Sequence, residues 1–337
     1  MNARVLFFAL LAPLAAQAQG FAGLGTAAEG FTLPAPDPEF RFPEDHGAHP
    51  GYRIEWWYLT ANLEAADGTP YGLQWTLFRS ALEPEGAQLW MGHAAVTTPQ
   101  AHHVAERLGR GGTGQAGVVA EPFEAWIDEW RMAGDWSELT LTAQGAEFAY
   151  DMALTAQGPL VFHGAEGFSV KSASGQASYY YSQPFFDIEG TLILPEGEVA
   201  VRGEAWLDRE WSSQPLAEDQ AGWDWFSLSF EGGGKLMAFR LRGAEDYTSG
   251  TWISPAGETE ALPDGALLFT PLQITEVAGR ELPTRWRVAL PARGLDVTVE
   301  AINNAAWMGT LVPYWEGPVT VSGSHSGRGY LEMTGYE

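Results

Sequence analysis

From Tyr52 onward the chain alternates apolar and polar residues with a period of two, in short runs rich in Trp, Tyr, Phe, Val, Leu and Thr that are separated by Gly, Asp and Pro clusters. The runs Ile54 to Leu63, Tyr71 to Arg79, Leu89 to Thr97, Leu139 to Ala143 and Phe148 to Leu154 read as strands. Asp67-Gly68, between the first two, is a dipeptide that tight hairpins favour. Only Ala101 to Gly109 and parts of Phe123 to Met132 have patterns compatible with a helix. A Trp-rich hairpin occurs twice: Glu55-Trp56-Trp57-Tyr58 followed by Leu73 to Arg79, and Trp223-Asp224-Trp225-Phe226 followed by Leu236 to Arg240. The echo predicts two copies of one architecture, divided near Tyr181 to Pro184, where an aromatic strand meets a proline. The expected fold is all-β: two antiparallel barrels over residues 41–183 and 184–337, with few short helices.

The start of the chain breaks this pattern. Met1 to Ala18 has a single charge at Arg4, an apolar run from Val5 to Ala15 and the small-x-small triplet Ala16-Gln17-Ala18. This is the form of a cleaved export signal, and it predicts a periplasmic or secreted protein that begins near Gln19. Residues 19–40, rich in Gly, Ala and Pro and without periodicity, read as a linker.

Composition narrows the chemistry. The 43 acidic residues outweigh 18 basic ones, giving a net charge of −25, and Lys171 and Lys235 are the only lysines. Such a chain repels phosphate backbones, which excludes nucleic acid as a partner. With 15 Trp and no Cys, the composition favours a protein rich in aromatic surface and excludes thiol catalysis, disulfides and Cys-ligated metals. It has no Gly-x-Ser-x-Gly elbow, phosphate-binding loop or dinucleotide fingerprint.

Three strand segments concentrate carboxylates among aromatic residues. On Gly222 to Phe230, Asp224 shares a face with Phe226, Leu228 and Phe230, while Trp223 and Trp225 take the other. An Asp so placed needs either a cation, with Arg240 and Arg242 as candidates, or a raised pKa that would make it a general acid. Asp208 and Glu210 share a face with Trp206, either as an acid and base pair or as ion-pair struts to Arg202 or Arg209. Arg53, Glu55 and Trp57 share a face, and a salt bridge from Arg79 is the expected role of Glu55. His46-x-x-His49 beside Asp45 lies in a Pro-flanked loop and reads as exposed or capping histidines, with no metal site expected. His93, in a strand beside Trp90 and Met91, is the histidine placed to face a cavity.

Several strings together resemble the AttH and carotenoid 1,2-hydratase (CrtC) lipocalin-like family. They are Phe42-Pro43-Glu44-Asp45-His46-Gly47, Glu55-Trp56-Trp57-Tyr58, Asp208-Arg209-Glu210-Trp211, Gly222-Trp223-Asp224-Trp225-Phe226, and the ending Tyr314-Trp315-Glu316-Gly317 to Gly329-Tyr330-Leu331-Glu332. The resemblance implies two tandem lipocalin-like barrels and export. It leaves two functions open. One is a hydro-lyase needing no metal or organic cofactor, in which Asp224 protonates an alkene, Trp57, Trp223 or Trp225 stabilises the cation, and Asp208 or Glu210 orients water. In the other, Trp57, Tyr58, Trp206, Trp223, Trp225, Phe226 and His93 line the pocket of a carrier. Family context also suggests an inner-membrane transporter as a partner.

Overall fold

The computed structural model describes residues 24, 28–84 and 86–336, so the predicted export signal lies outside the described residues. Among these, helical structure is confined to the single 3₁₀ turns Glu44–His46 and Pro291–Arg293. The rest is strand and loop, in a 13-stranded and a 10-stranded sheet, each curled around its own apolar core.

Both sheets start alike. Ile54–Ala65 pairs with the next strand, Pro70–Ala81, and with the last strand of its sheet, Gly197–Ser212. Gly222–Phe230 likewise pairs with Lys235–Arg242 and with Gly327–Met333. The two Trp-rich hairpins are thus the opening hairpins of two similar antiparallel sheets. At Asp67-Gly68, the Asp67 side chain accepts from Thr69 N–H at 3.0 Å and Gly68 takes φ +85°.

Two expectations are corrected. His102–Arg110, Phe123–Ile127 and Trp130–Asp135 are strands, because Phe123, Ala125 and Ile127 alternate into the first core in a way a helix would not permit. The division also falls later than Pro184. That proline sits at a bulge inside the continuous strand Ala177–Leu194, which belongs to the first sheet together with Gly197–Ser212. The sheets divide in the segment between Ser212 and Gly222.

The inward positions Trp57, Leu59, Leu77 and Leu207 fill the first core; Phe226, Leu228, Trp286 and Leu331 fill the second. The outward positions of the opening strands are apolar too, and the two barrels press them together in a third cluster containing Tyr58, Trp206, Trp225, Met237 and Tyr330. Gly72 permits this approach: a Cβ there would lie 2.5 Å from Pro318 and 2.8 Å from Tyr330 Oη on the other sheet.

Candidate active site

Where the outward faces diverge they enclose a cavity of about 570 Å³. The first sheet contributes Trp56, Tyr58, Met91, His93 and Tyr180 to its wall, and the second contributes Trp223, Trp225, Phe239 and Tyr314. Polar groups converge at Asp208, Glu210, Lys171 and Glu332, which line the same cavity.

Asp208 lies opposite Tyr58 and Ser182 on the neighbouring strands. Its carboxyl accepts from Tyr180 Oη and Trp206 Nε1, each at 2.6 Å, and also from Ser182 Oγ. Burial nevertheless outweighs these donors and pushes its pKa up to about 7. Glu332, on the facing sheet, accepts from Trp223 Nε1 at 2.6 Å. Burial pushes it up to about 7 as well; its hydrogen bonds oppose that rise, while the charges of Asp208 and Glu210 add to it.

Behind Glu332, in register on the next strand, lies Glu316, which accepts a hydrogen bond from Tyr58 Oη. Burial, then the charge of Glu332, raises its pKa well above the usual carboxylate range. A hydrogen-bonded path joins the sheets, since Trp225 Nε1 donates to Tyr180 Oη at 3.2 Å and Tyr180 donates to Asp208. The cavity therefore presents carboxylic acids that titrate near neutrality beside aromatic faces.

The other expected residues are distributed by strand parity. Glu210 is on the wall but pairs with Lys171 at 2.8 Å, not with Arg202 or Arg209. Arg209 points into the first barrel, where it pairs with Glu55 at 3.3 Å and stacks 3.9 Å over Trp57. Trp57 and Phe226 are core residues of their barrels and do not reach the cavity. Trp206 lies behind the wall and acts on it through Asp208.

Asp224 is also off the wall. It is buried at the inner face of the second barrel, held by Arg240 at 3.4 Å, Arg242 at 3.5 Å and the Tyr336 hydroxyl at 2.9 Å. Burial raises its pKa, against the pull of the two guanidiniums. The ion-pair alternative accounts for its position, and the role of proton donor to a cavity ligand does not fit it.

His46 and His49, expected at the surface, depart from expectation in the opposite sense, while His93 lies where it was expected. His46 is buried, stacked 3.7 Å from Trp136, and its Nδ1 is 2.7 Å from Tyr181 Oη. His49 bridges Asp45 and Glu55 at 3.0 and 3.1 Å. His93 lines the cavity, with Nδ1 2.9 Å from Tyr314 Oη and Nε2 3.2 Å from Glu106. Burial lowers its pKa, so it is a neutral imidazole at neutral pH.

The profile of the AttH-like family matches residues 33–336. The chain belongs to that family. An AttH protein from Nitrosomonas europaea of known crystal structure is 31% identical, covers 91% of this chain and 99% of its own, and superposes with a TM-score of 0.82. Kievitone hydratase from Nectria haematococca shares the fold at 18% identity and TM-score 0.71, covering 90% of this chain and 95% of its own. CghA, solved with Sch210972, shares it more distantly, at 11% identity and TM-score 0.58 over 94% of this chain and 97% of its own. No curated protein matches by sequence.

Glu332, Glu316, Tyr180, Tyr314 and Lys171 join the site, although none of them carries a site assignment from the sequence alone. A signal for Glu332 was present: it alternates with Leu331 and Met333, both of which point into the core. Its pairing opposite Trp225, which brings it to the cavity, depends on long-range strand register.

Proposed function

We propose that this AttH-like protein is exported, binds an apolar, unsaturated lipid or isoprenoid-like molecule between its barrels and adds water across a C=C bond, as a hydro-lyase does. The observation that carries this reading is the placement of Asp208 and Glu332, both with pKa values pushed up to about 7, on the wall of an aromatic cavity. A carboxyl that is protonated yet close to its titration point at neutral pH is matched to general acid catalysis.

In the forward direction one of the two carboxyls gives its proton to the less substituted alkene carbon, and the π electrons form the new C–H bond. The cation left on the neighbouring carbon faces the rings of Trp56, Trp223 and Trp225. Water adds to that carbon, and its surplus proton passes to the ionised member of the pair, so the enzyme ends with as many protons as it began. The charge of Asp208 raises the affinity of Glu332 for a proton, which favours a state in which Glu332 holds the proton while Asp208 is ionised.

The test is to purify the mature protein from its native envelope, extract it with solvent and identify the co-eluting molecule. That molecule is then incubated with the protein in H₂¹⁸O. Incorporation of ¹⁸O, lost in Asp208→Asn, supports the hydratase; a ligand that returns unlabelled identifies a carrier and defeats the catalytic claim. Sequencing of the same preparation is expected to find an amino terminus near Gln19.

A further inference from the structure

Both lysines of this acidic chain are buried, but they are engaged differently. Lys235 donates to Ser229 Oγ at 2.8 Å and to Glu204 at 3.2 Å. Lys171, 3% exposed, lies on the cavity wall, with Nζ 3.7 Å above the Phe239 ring and 4.8 Å from that of Tyr180. Its ion pair with Glu210, at 2.8 Å, occupies one of the three N–H donors, and among the described residues no other acceptor reaches Nζ. A buried ammonium has three N–H donors and loses stability when they go unused, so an arrangement that leaves the others to an apolar cavity points to an acceptor brought by the ligand.

The surroundings restrict what that acceptor is. Glu210 already balances the charge of Lys171, so the pair presents no net positive charge to an anionic headgroup. A pure hydrocarbon would leave the donors unfilled. The hydroxyls of Tyr180 and Tyr58 are committed to Asp208 and Glu316, which leaves the N–H groups of Lys171 that Glu210 does not occupy. A neutral oxygen that accepts and does not donate satisfies all three conditions.

We propose that Lys171 recognises a carbonyl oxygen on the ligand, so that the ligand class is an apolar ketone or aldehyde and not a plain hydrocarbon. This rests on the reading of the cavity as the ligand site, and it holds whether or not the ligand is turned over. The hydrogen bond is charge-assisted and desolvated, the setting in which one bond discriminates most strongly.

The test uses the full mature chain and two probes of equal length, (E)-3-dodecen-2-one and (E)-2-dodecene, titrated against the fluorescence of Trp56, Trp223 and Trp225. The enone is expected to bind about tenfold more tightly than the alkene, and the advantage to vanish in Lys171→Met. The double variant Lys171→Met/Glu210→Gln, which leaves neither charge buried alone, serves if the single one fails to fold. Infrared spectra of the ¹³C=O enone bound to the unaltered protein are expected to show a carbonyl stretch below its value in hexane. Equal binding of the two probes, an advantage that survives Lys171→Met, or an unshifted carbonyl band would overturn the role of Lys171 and leave the cavity reading standing. Binding of neither probe would overturn both.

Discussion

Two pairs of buried carboxyls invite comparison, Glu55 and Asp224 inside the barrels and Asp208 and Glu332 between them. Inside the barrels, Glu55 and Asp224 each stand directly across from an arginine on the next strand, Arg79 and Arg240 respectively. Between the barrels, Asp208 and Glu332 meet hydroxyl and indole donors and no guanidinium. Glu55, with Arg79, Arg209 and His49 around it, overcomes its burial and is held down at about 2. Asp208, fully buried with neutral donors only, rises to about 7. The same chemical group is a strut in one place and the proposed acid in the other, and the difference lies in whether a guanidinium or only neutral donors contact it.

The sharpest way to break the comparison is to neutralise one member of each pair. Asp208→Asn is expected to lower ¹⁸O incorporation into the extracted ligand by about 10²–10⁴-fold with circular dichroism unchanged, the range for loss of a general acid. Asp224→Asn, tested on the same ligand, is expected to keep most of the turnover while lowering stability; the reverse pattern would exchange the assignments. Glu55→Gln should have its effect on folding, because it leaves Arg79 and Arg209 buried without their carboxylate. A loss of about 3 kcal/mol in urea unfolding is expected.

pH sharpens the contrast because the signs oppose. Glu55, lowered from 4.5 to about 2, contributes stability that is present above pH 4.5 and lost as pH falls toward 2. Asp208 and Glu332, raised from 3.8 and 4.5 to about 7, favour the folded state below those ordinary values. That contribution is lost as pH rises to 7, because the folded chain there retains protons that the unfolded chain has released. His46 and His102, held down at about 3 by burial, act with the opposite sign, so the contribution is read as a difference. Relative to Asp208→Asn, the urea midpoint of the unaltered protein is expected to fall between pH 5 and pH 8, and a difference that rises across this range would contradict the raised pKa of Asp208. The smallest effect is expected from Trp56→Ala, which removes one ring from the wall: a few-fold weaker binding of (E)-3-dodecen-2-one, with unfolding nearly unchanged.

Much of this was legible beforehand. Period two assigned Asp224 to the face of Phe226 and Leu228, and placed Asp208, Glu210 and Trp206 together with Arg209 opposite; each of these sides is observed. Glu55 and Arg79 were paired correctly from the neighbouring strand. What period two did not convey is which side is dry. Its place among aromatic residues makes Asp224 a candidate general acid from the sequence, but those residues are the closed core of a barrel, with Arg240 and Arg242 reaching it. Lys171 offered no pattern at all, since it follows the short strand Phe168–Val170 and reaches Glu210 from far along the chain.

The sequence by itself determined the all-β class, the repeated hairpin, the family and the side of each strand on which a residue falls, because these depend on neighbours within a few positions. The tertiary structure decided which buried carboxyls meet a cation, which meet a cavity, and where the sheets divide. Those outcomes depend on strand register and on the contact between two outer faces, with Gly72 against Pro318 and Glu332 beside Trp225. Burial and charge pairing set a carboxyl's proton affinity, and both are properties of the assembled sheets.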